Sequence, residues 1–207
     1  MKKFDLMNRY KSYYTAKTTP ELVDIEPAYF LSLTGKGDPS GVPFANKLQA
    51  LYATAYAIKF RSKQAGRDFT VAKLEALWWY DEKRFGNPSM ADAPTKIPRS
   101  EWEYRLLIRI PEHITEKDVQ QGIDIVLRKK KSDLAGAIEF YRMAEGKCIQ
   151  VLHVGPYSTE PGTLARIAEF SESNGLKRNG VHHEIYLSDF RRTAPEKLKT
   201  ILREPVK

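Results

Sequence analysis

The segment Asn179–Arg192, NGVHHEIYLSDFRR, decides how the rest of the chain is read. It has the β-branched and aromatic content of a strand, yet Glu184 stands beside Ile185, Tyr186 and Leu187. Alternate side chains of a strand share a face, so His182, Glu184, Tyr186 and Ser188 point one way and His183, Ile185, Leu187 and Asp189 the other. The spacing predicts an aliphatic face and an aromatic, ionisable one.

Working outward, WWYDEKR (78–84) parallels IYLSDFRR (185–192): in each an Asp is followed three residues later by an Arg. The surrounding pattern supports a duplication. A strand in PAYFLSLTG, a helix over about 44–63 and strands in KLEALWWYDEK and EWEYRLLIRIP precede a helix over about 115–131. The order then recurs as a strand in KCIQVLHVG, a helix over about 162–174, a strand in HHEIYLSD and a last strand in KTILREPV. Gly35 and Gly155 each close a first strand. Two βαββ units, about 22–111 and 136–207, are therefore expected within a single domain 1–207, giving an antiparallel-rich α+β fold. With a pseudo-two-fold axis, the helices should cover one face of the sheets while the opposite faces meet across a central cleft. Aligning Asp81 with Asp189 equates Trp78 with Tyr186, Tyr80 with Ser188 and Ala76 with Glu184. The neighbouring strand adds Trp102 and Tyr104 on one face, with Glu103 and Arg105 on the other.

The 207 residues, 42% of them hydrophobic, exclude a disordered or fibrous chain and allow a substantial core. A single cysteine, Cys148, rules out an intramolecular disulfide, and MKKFDLMNRYKSYY lacks the apolar stretch of a signal peptide, so a cytoplasmic location is expected. No apolar run approaches the roughly 20 residues of a membrane span. The net charge of +8 is scattered; its densest run, LRKKKSD (127–133), ends an amphipathic segment that starts with Glu116 and Asp118. Acid first and base last is the pattern of a solvated helix complementing its own dipole.

Familiar motifs fail on spacing. GKGDPSG has neither the glycine register of a dinucleotide loop nor the Lys-Ser/Thr of a P-loop. His182 and His183 are adjacent and point to opposite faces, and His113 and His153 show no metal-ligand spacing, so no metal is expected. Cys148 sits in an apolar run that suits an inert buried thiol. The aromatic groups LWWYD, EWEYR and EIYLS are left with two readings, core filling or the wall of a small-molecule pocket, to which the phasing of Glu184 onto Trp78, Tyr80, Trp102, Tyr104 and Tyr186 lends weight. Glu184 likewise has three readings: a pocket carboxylate, an exposed edge position, or an ion pair with Arg105 or Arg109.

Residues 151–206, VLHVGPYSTEPGTLARIAEFSESNGLKRNGVHHEIYLSDFRRTAPEKLKTILREPV, resemble the GyrI-like small-molecule-binding family, and within it the stand-alone branch with HHEIYLSD and a terminal LRxPV strand. LEALWWYDEK, EWEYRLLIRIPEHITEKDV and GPY extend the resemblance over nearly the whole chain; Phe190 departs from the proline of many relatives. The resemblance implies a tandem βαββ, SHS2-like fold around a ligand cleft. It also implies Glu184 as the site carboxylate, Tyr157 as a second polar group, and Trp102, Tyr104 and Tyr186 as aromatic walls; the strand phasing adds Trp78, Tyr80 and His182 to the expected ligand-binding residues. Some stand-alone relatives are cyclopropanoid hydrolases acting on DNA-alkylating natural products of the yatakemycin and duocarmycin type. Related domains sense lipophilic cationic drugs in transcription regulators.

Two functions follow as expectations. As a hydrolase, the protein would use Glu184 to activate water against a cyclopropane fused to a dienone, Tyr157 or Tyr104 assisting, with no cofactor. As a multidrug-binding module, it would hold lipophilic aromatic or cationic compounds without chemistry, Glu184 neutralising the cation. In either case the partner is a small molecule. About 20 residues precede the first strand, fewer than a helix-turn-helix domain with its linker needs, so no direct nucleic-acid contact is expected. The oligomeric state stays open.

Overall fold

Strand alternation is realised in ten segments of the computed structural model, which describes residues 3–86, 88–89, 91–129 and 131–207. In chain order they are β1 (Phe4–Asp5), β2 (Glu21–Ile25), β3 (Ala28–Lys36), β4 (Phe69–Thr70), β5 (Leu74–Trp79), β6 (Glu103–Arg109), β7 (Glu139–Met143), β8 (Gly146–Val154), β9 (His182–Tyr186) and β10 (Lys199–Pro205). The helices are α1 (Leu6–Arg9), α2 (Val42–Gln64), α3 (Glu82–Phe85), α4 (Ala93–Lys96), α5 (Glu116–Arg128) and α6 (Glu160–Ser173). β1 and β4 form a small parallel pair. The other eight strands make one curled antiparallel sheet in the order β2-β8-β10-β9-β5-β6-β3-β7.

That order is the signature of the duplication. β8-β10-β9 is answered by β5-β6-β3, each half supplying its first, third and second strands, and the halves join through the antiparallel pair of β9 with β5. In this pair Ala76 lies opposite Glu184. The two residues that the repeat alignment equates therefore meet at the pseudo-two-fold axis itself. The aligned aspartates also do the same job: Asp81 Oδ1 accepts from the Lys83 amide at 2.9 Å, and Asp189 Oδ1 from the Arg191 amide at 3.1 Å.

The first strands close alike, though one of the two glycines differs from the sequence expectation. The Gly37 amide donates to the Trp102 carbonyl at 2.8 Å and the Gly155 amide to the Leu198 carbonyl at 3.0 Å. Both glycines hold a positive φ, 119° and 136°, that other residues rarely adopt. Gly37, rather than Gly35, is thus the counterpart of Gly155. Gly35 serves packing instead: the Tyr104 ring lies across it, and a Cβ there would come within 2.4 Å of a ring carbon.

β2 and β7 are absent from the sequence reading, because ELVDI and EFYRM are short and interrupted by charge, as edge strands often are. β2 precedes β3 but pairs with β8, and β7 precedes β8 but pairs with β3. Each half therefore lends its leading strand to the edge of the other.

One sheet face carries all three longer helices. α2 packs on β3, β6 and α5, while α6 packs on β8, so β5 and β9 run between α2 and α6. α5 starts in the capping box of Thr115 with Asp118 and has Arg128 in its last turn, the arrangement expected of the 115–131 segment. Lys130, in that basic run, lies outside the described residues. Leu31, Leu33, Ala76, Trp78, Tyr104 and Leu106 share a core with residues of α2 and α5. This corrects the expectation that the aromatic cluster faces away from the helices. The opposite face is already filled by the N-terminal segment, whose Tyr13 and Tyr14 pack with Phe30, Leu77, Leu107, Ile185 and Ile201. No helix among the described residues is long and apolar enough to cross a membrane.

Gly35→Ala should destabilise the protein by about 1–3 kcal/mol, the usual cost of overpacking. In a Tyr104→Ala background, where the obstructing ring is gone, the same change should cost much less. Denaturant unfolding of the four proteins measures this coupling, and additive effects would mean that the ring is not the obstacle.

Candidate functional site

Glu184 sits on the helix-bearing face, its side chain 14% exposed. Because Ala76 is directly opposite, the sheet leaves room above this pair for a carboxylate. The repeat-related Trp78 and Tyr186 reach toward each other across the axis, and Trp78 Nε1 donates to the Tyr186 hydroxyl at 3.1 Å. Phe44, from the first turns of α2, stacks on Trp78 with ring centroids 6.1 Å apart and meets the edge of Tyr104 at 4.9 Å. Duplication has thus set an aromatic frame around one acid.

The ionisable groups of the frame form a chain. His182 donates through Nε2 to Glu184 Oε1 at 3.3 Å and through Nδ1 to Glu204 Oε1 at 2.5 Å. Two ring donors require the imidazolium. Burial alone would push its pKa down, but Glu204 and Glu184 outweigh that and hold it at about 10.

The second half's helix closes the group from above. His153 accepts or donates through Nδ1 with the Thr163 hydroxyl at 2.9 Å and donates through Nε2 to the Pro156 carbonyl at 3.2 Å, fixing the turn after β8. That turn places Tyr157 edge-on to Tyr186, centroids 6.0 Å apart. Burial, then Glu160 and Glu184, raises the Tyr157 phenol to about 12. Glu160, three residues on and so on the same side of the helix start, is buried, and its Oε1 has no hydrogen-bond partner among the described residues. The first turn of a helix favours an anion by about 0.3–1 kcal/mol. Burial, reinforced by Glu184, is the larger effect and pushes the Glu160 carboxyl well above the usual range despite the nearby His182 cation. The site therefore sets two carboxyl groups, one of them raised well above the usual range, beside an imidazolium.

Glu184, His182, Tyr157, Tyr186 and Trp78 are thus brought together. Trp102 touches the group only through Trp78, at 6.4 Å between centroids, and Tyr104 is fully buried under Phe44. Tyr80 packs instead with Phe85, Ala93, Ile97 and Trp102 in a satellite cluster. Neither ion pair considered for Glu184 forms: Arg105 bonds Ser32 and Glu139, and Arg109 lies over the Tyr10 and Tyr13 rings on the other face. Two cavities, of about 150 Å³ between α2 and α5 and about 400 Å³ beside α5 and β7, do not border Glu184. Among the described residues no group of His, Cys, Asp and Glu is placed to hold a metal ion.

Sequence reasoning missed Glu160, Glu204 and Phe44. Glu204 carried the same signal as Glu184, a carboxylate inside an apolar strand, TILREPV. Glu160 carried a weaker one, its three-residue spacing from Tyr157. Phe44 had none beyond its place in a helix.

A duplicated α+β sheet whose helix-bearing face frames a partly buried carboxylate with aromatic rings has the chemistry of a small-molecule-binding domain. The family model described as "GyrI-like small molecule binding domain" matches residues 18–207, and the chain belongs to that family. A Listeria innocua protein described as a hydrolase is 37% identical with a TM-score of 0.84, the match covering 100% of both chains. A second Listeria innocua hydrolase structure is 36% identical with a TM-score of 0.83, covering 99% of this chain and 100% of that one. The C-terminal domain of EcmrR, at 12% identity, a TM-score of 0.56 and coverage of 91% and 97%, shares the fold. Among curated proteins, none matches the chain.

The His182 bridge makes a pH-dependent prediction. A group whose folded pKa is raised from 6.5 to about 10 stabilises the fold fully below the lower value, and the contribution is lost as pH rises through the upper one. The stability gap between the wild type and His182→Gln should therefore be widest near pH 6 and narrow toward pH 10. Urea midpoints across that range test it, and a constant gap would mean that His182 does not titrate with folding.

Proposed function

We propose that the protein is a cofactor-independent hydrolase that opens the cyclopropane of cyclopropanoid compounds of the yatakemycin and duocarmycin type, protecting the cell from alkylation. The observation that carries the reading is Glu184: a carboxylate on the pseudo-two-fold axis, bonded to His182 and framed by Trp78 and Tyr186. The Listeria innocua relatives described as hydrolases, matched over their full length, support the same direction.

In the proposed reaction the flat dienone lies along the aromatic frame, where each ring contact contributes roughly 0.5–1.5 kcal/mol beyond area burial. Glu184 takes a proton from water as the water oxygen bonds to the cyclopropane CH2. The C–C bond to the ring breaks, and its electron pair moves through the dienone to the carbonyl oxygen, which becomes a phenolate; the proton taken up by Glu184 then passes to it through solvent, giving the phenol and restoring the base. His182, anchored by Glu204, orients Glu184 toward the water. Tyr157, with its hydroxyl kept protonated, donates a hydrogen bond to the attacking water and holds it in place.

A second reading, a multidrug-binding module without chemistry, is favoured by one feature. Glu160, Glu184 and Glu204 surround a single imidazolium, so a lipophilic cation would meet more acid than base there.

Glu184→Gln separates the two. Turnover of a cyclopropadienone, followed by absorbance and mass as the ring-opened phenol forms, should fall at least about 100-fold with binding largely kept. Unchanged turnover would remove Glu184 from the chemistry, whereas absent turnover in the wild type, with cationic dyes weakened by the substitution and neutral dyes unaffected, would establish the binding module.

A further inference from the structure

We infer that Glu160 and Glu184 work as an acid and base pair suited to a second substrate class, aryl-substituted epoxides, which the same cleft hydrolyses to vicinal diols. This rests on the hydrolase reading and extends it. A cyclopropadienone sends its electron pair to a carbonyl oxygen across the ring from the attacked carbon, so a proton donor beside the base does nothing for that departure. In an epoxide the departing oxygen is part of the same three-membered ring as the attacked carbon. The base that activates water and the acid that meets the leaving oxygen must then stand close together, on opposite sides of the substrate.

The two carboxyls come from facing elements. Glu184 rises from β9 on the sheet, and Glu160 comes from the start of α6, which packs on the same sheet face. Glu160 is 8% exposed, and no group among the described residues takes up its Oε1. The groups facing it are Glu184 and His182 of β9, the Tyr157 phenol of the preceding turn and the Tyr186 phenol of β9. Burial, reinforced by Glu184, raises the Glu160 carboxyl well above the usual carboxylate range and so favours its protonated form. His182, bonded to Glu184 and Glu204, marks Glu184 as the accepting partner. The cyclopropane reaction has no use for the Glu160 proton.

The step balances within the pair. The water oxygen bonds to the benzylic carbon, the C–O bond to that carbon breaks, Glu184 takes one water proton, and Glu160 delivers its own to the leaving oxygen. Passage of the proton from Glu184 back to Glu160, directly or through solvent, restores the starting state. The net reaction is water plus epoxide to diol.

The test incubates the full chain with styrene oxide in ¹⁸O-water, with a cyclopropadienone as a parallel substrate, and reads products by mass. The expected result is a diol carrying one ¹⁸O from the first turnover, formed at a rate that falls as pH rises and Glu160 ionises. Glu160→Gln and Glu184→Gln should each lower epoxide turnover at least about 100-fold while circular dichroism stays native. The alkaline fall should be absent from the residual activity of Glu160→Gln. Cyclopropadienone opened but styrene oxide left at its uncatalysed rate would overturn this inference and leave the hydrolase reading standing; neither substrate opened would overturn both. A first-turnover diol without ¹⁸O would mean direct attack by a carboxylate and would overturn the pair as assigned. If Glu160→Gln does not fold, the wild-type pH profile decides, and a rate that is flat or rises with pH overturns the role of Glu160.

Discussion

The antiparallel pairing of β5 with β9 is the constraint on which the rest of the molecule depends. It joins the two repeats, sets Ala76 against Glu184 on the axis, and fixes which side chains reach the helix face. A slip of one residue would exchange the faces of a strand, carrying Glu184 away from the cleft. The other face resists that slip. His183 and Glu75 are fully buried there; His183 bonds Glu75 at 3.0 Å and Glu145 at 2.9 Å, and Arg203 reaches Glu145 at 3.4 Å. Tyr13 of the N-terminal segment donates to Glu75 at 2.5 Å. Burial works against the His183 cation, yet its two carboxylates raise its pKa. Buried ion pairs contribute little net stability, but a register that separates them leaves charge unpaired at a cost of several kcal/mol. This cluster selects the register rather than deepening the fold.

Duplication supplies symmetry, and the ionisable groups stand where symmetry is broken. Trp78 and Tyr186 are equivalent, and their hydrogen bond spans the axis. Ala76 and Glu184 are also equivalent, but one is a methyl group and the other an acid. The long helices repeat the pattern: α2 begins with Val42, 72% exposed, where α6 begins with the buried Glu160. One half therefore contributes space and aromatic surface while the other contributes ionisable groups. Had both halves carried acids at the axis, like-charge repulsion would have opposed ionisation of the second.

A buried carboxylate needs compensation, and the two buried acids of the site find it in different ways. His182 bridges Glu184 and Glu204, whereas Glu160, left without a bond at Oε1, answers burial with a carboxyl raised well above the usual range. Tyr104, Trp102 and Tyr80 stand behind the frame, supporting Trp78 rather than lining the acid.

The sequence by itself determined the repeat, the strand that carries Glu184 and the face it shares with His182 and Tyr186, because alternation and the paired Asp-x-x-Arg motifs are local properties of the chain. Helix and strand types followed for the same reason. Only the tertiary structure decided that the aromatic face lies beneath the helices, since the N-terminal segment claims the other face through contacts such as Arg203 to the Tyr13 carbonyl, 190 residues away in sequence. It also decided that the supposedly aliphatic side of β9 hides an ion cluster, and that the two halves exchange their leading strands. Glu160 and Glu204 could not be assigned to the site from spacing, because they come from α6 and β10 and meet Glu184 only when helix and sheet pack. Strand periodicity states which residues share a face; what occupies that face is settled by partners distant in the chain.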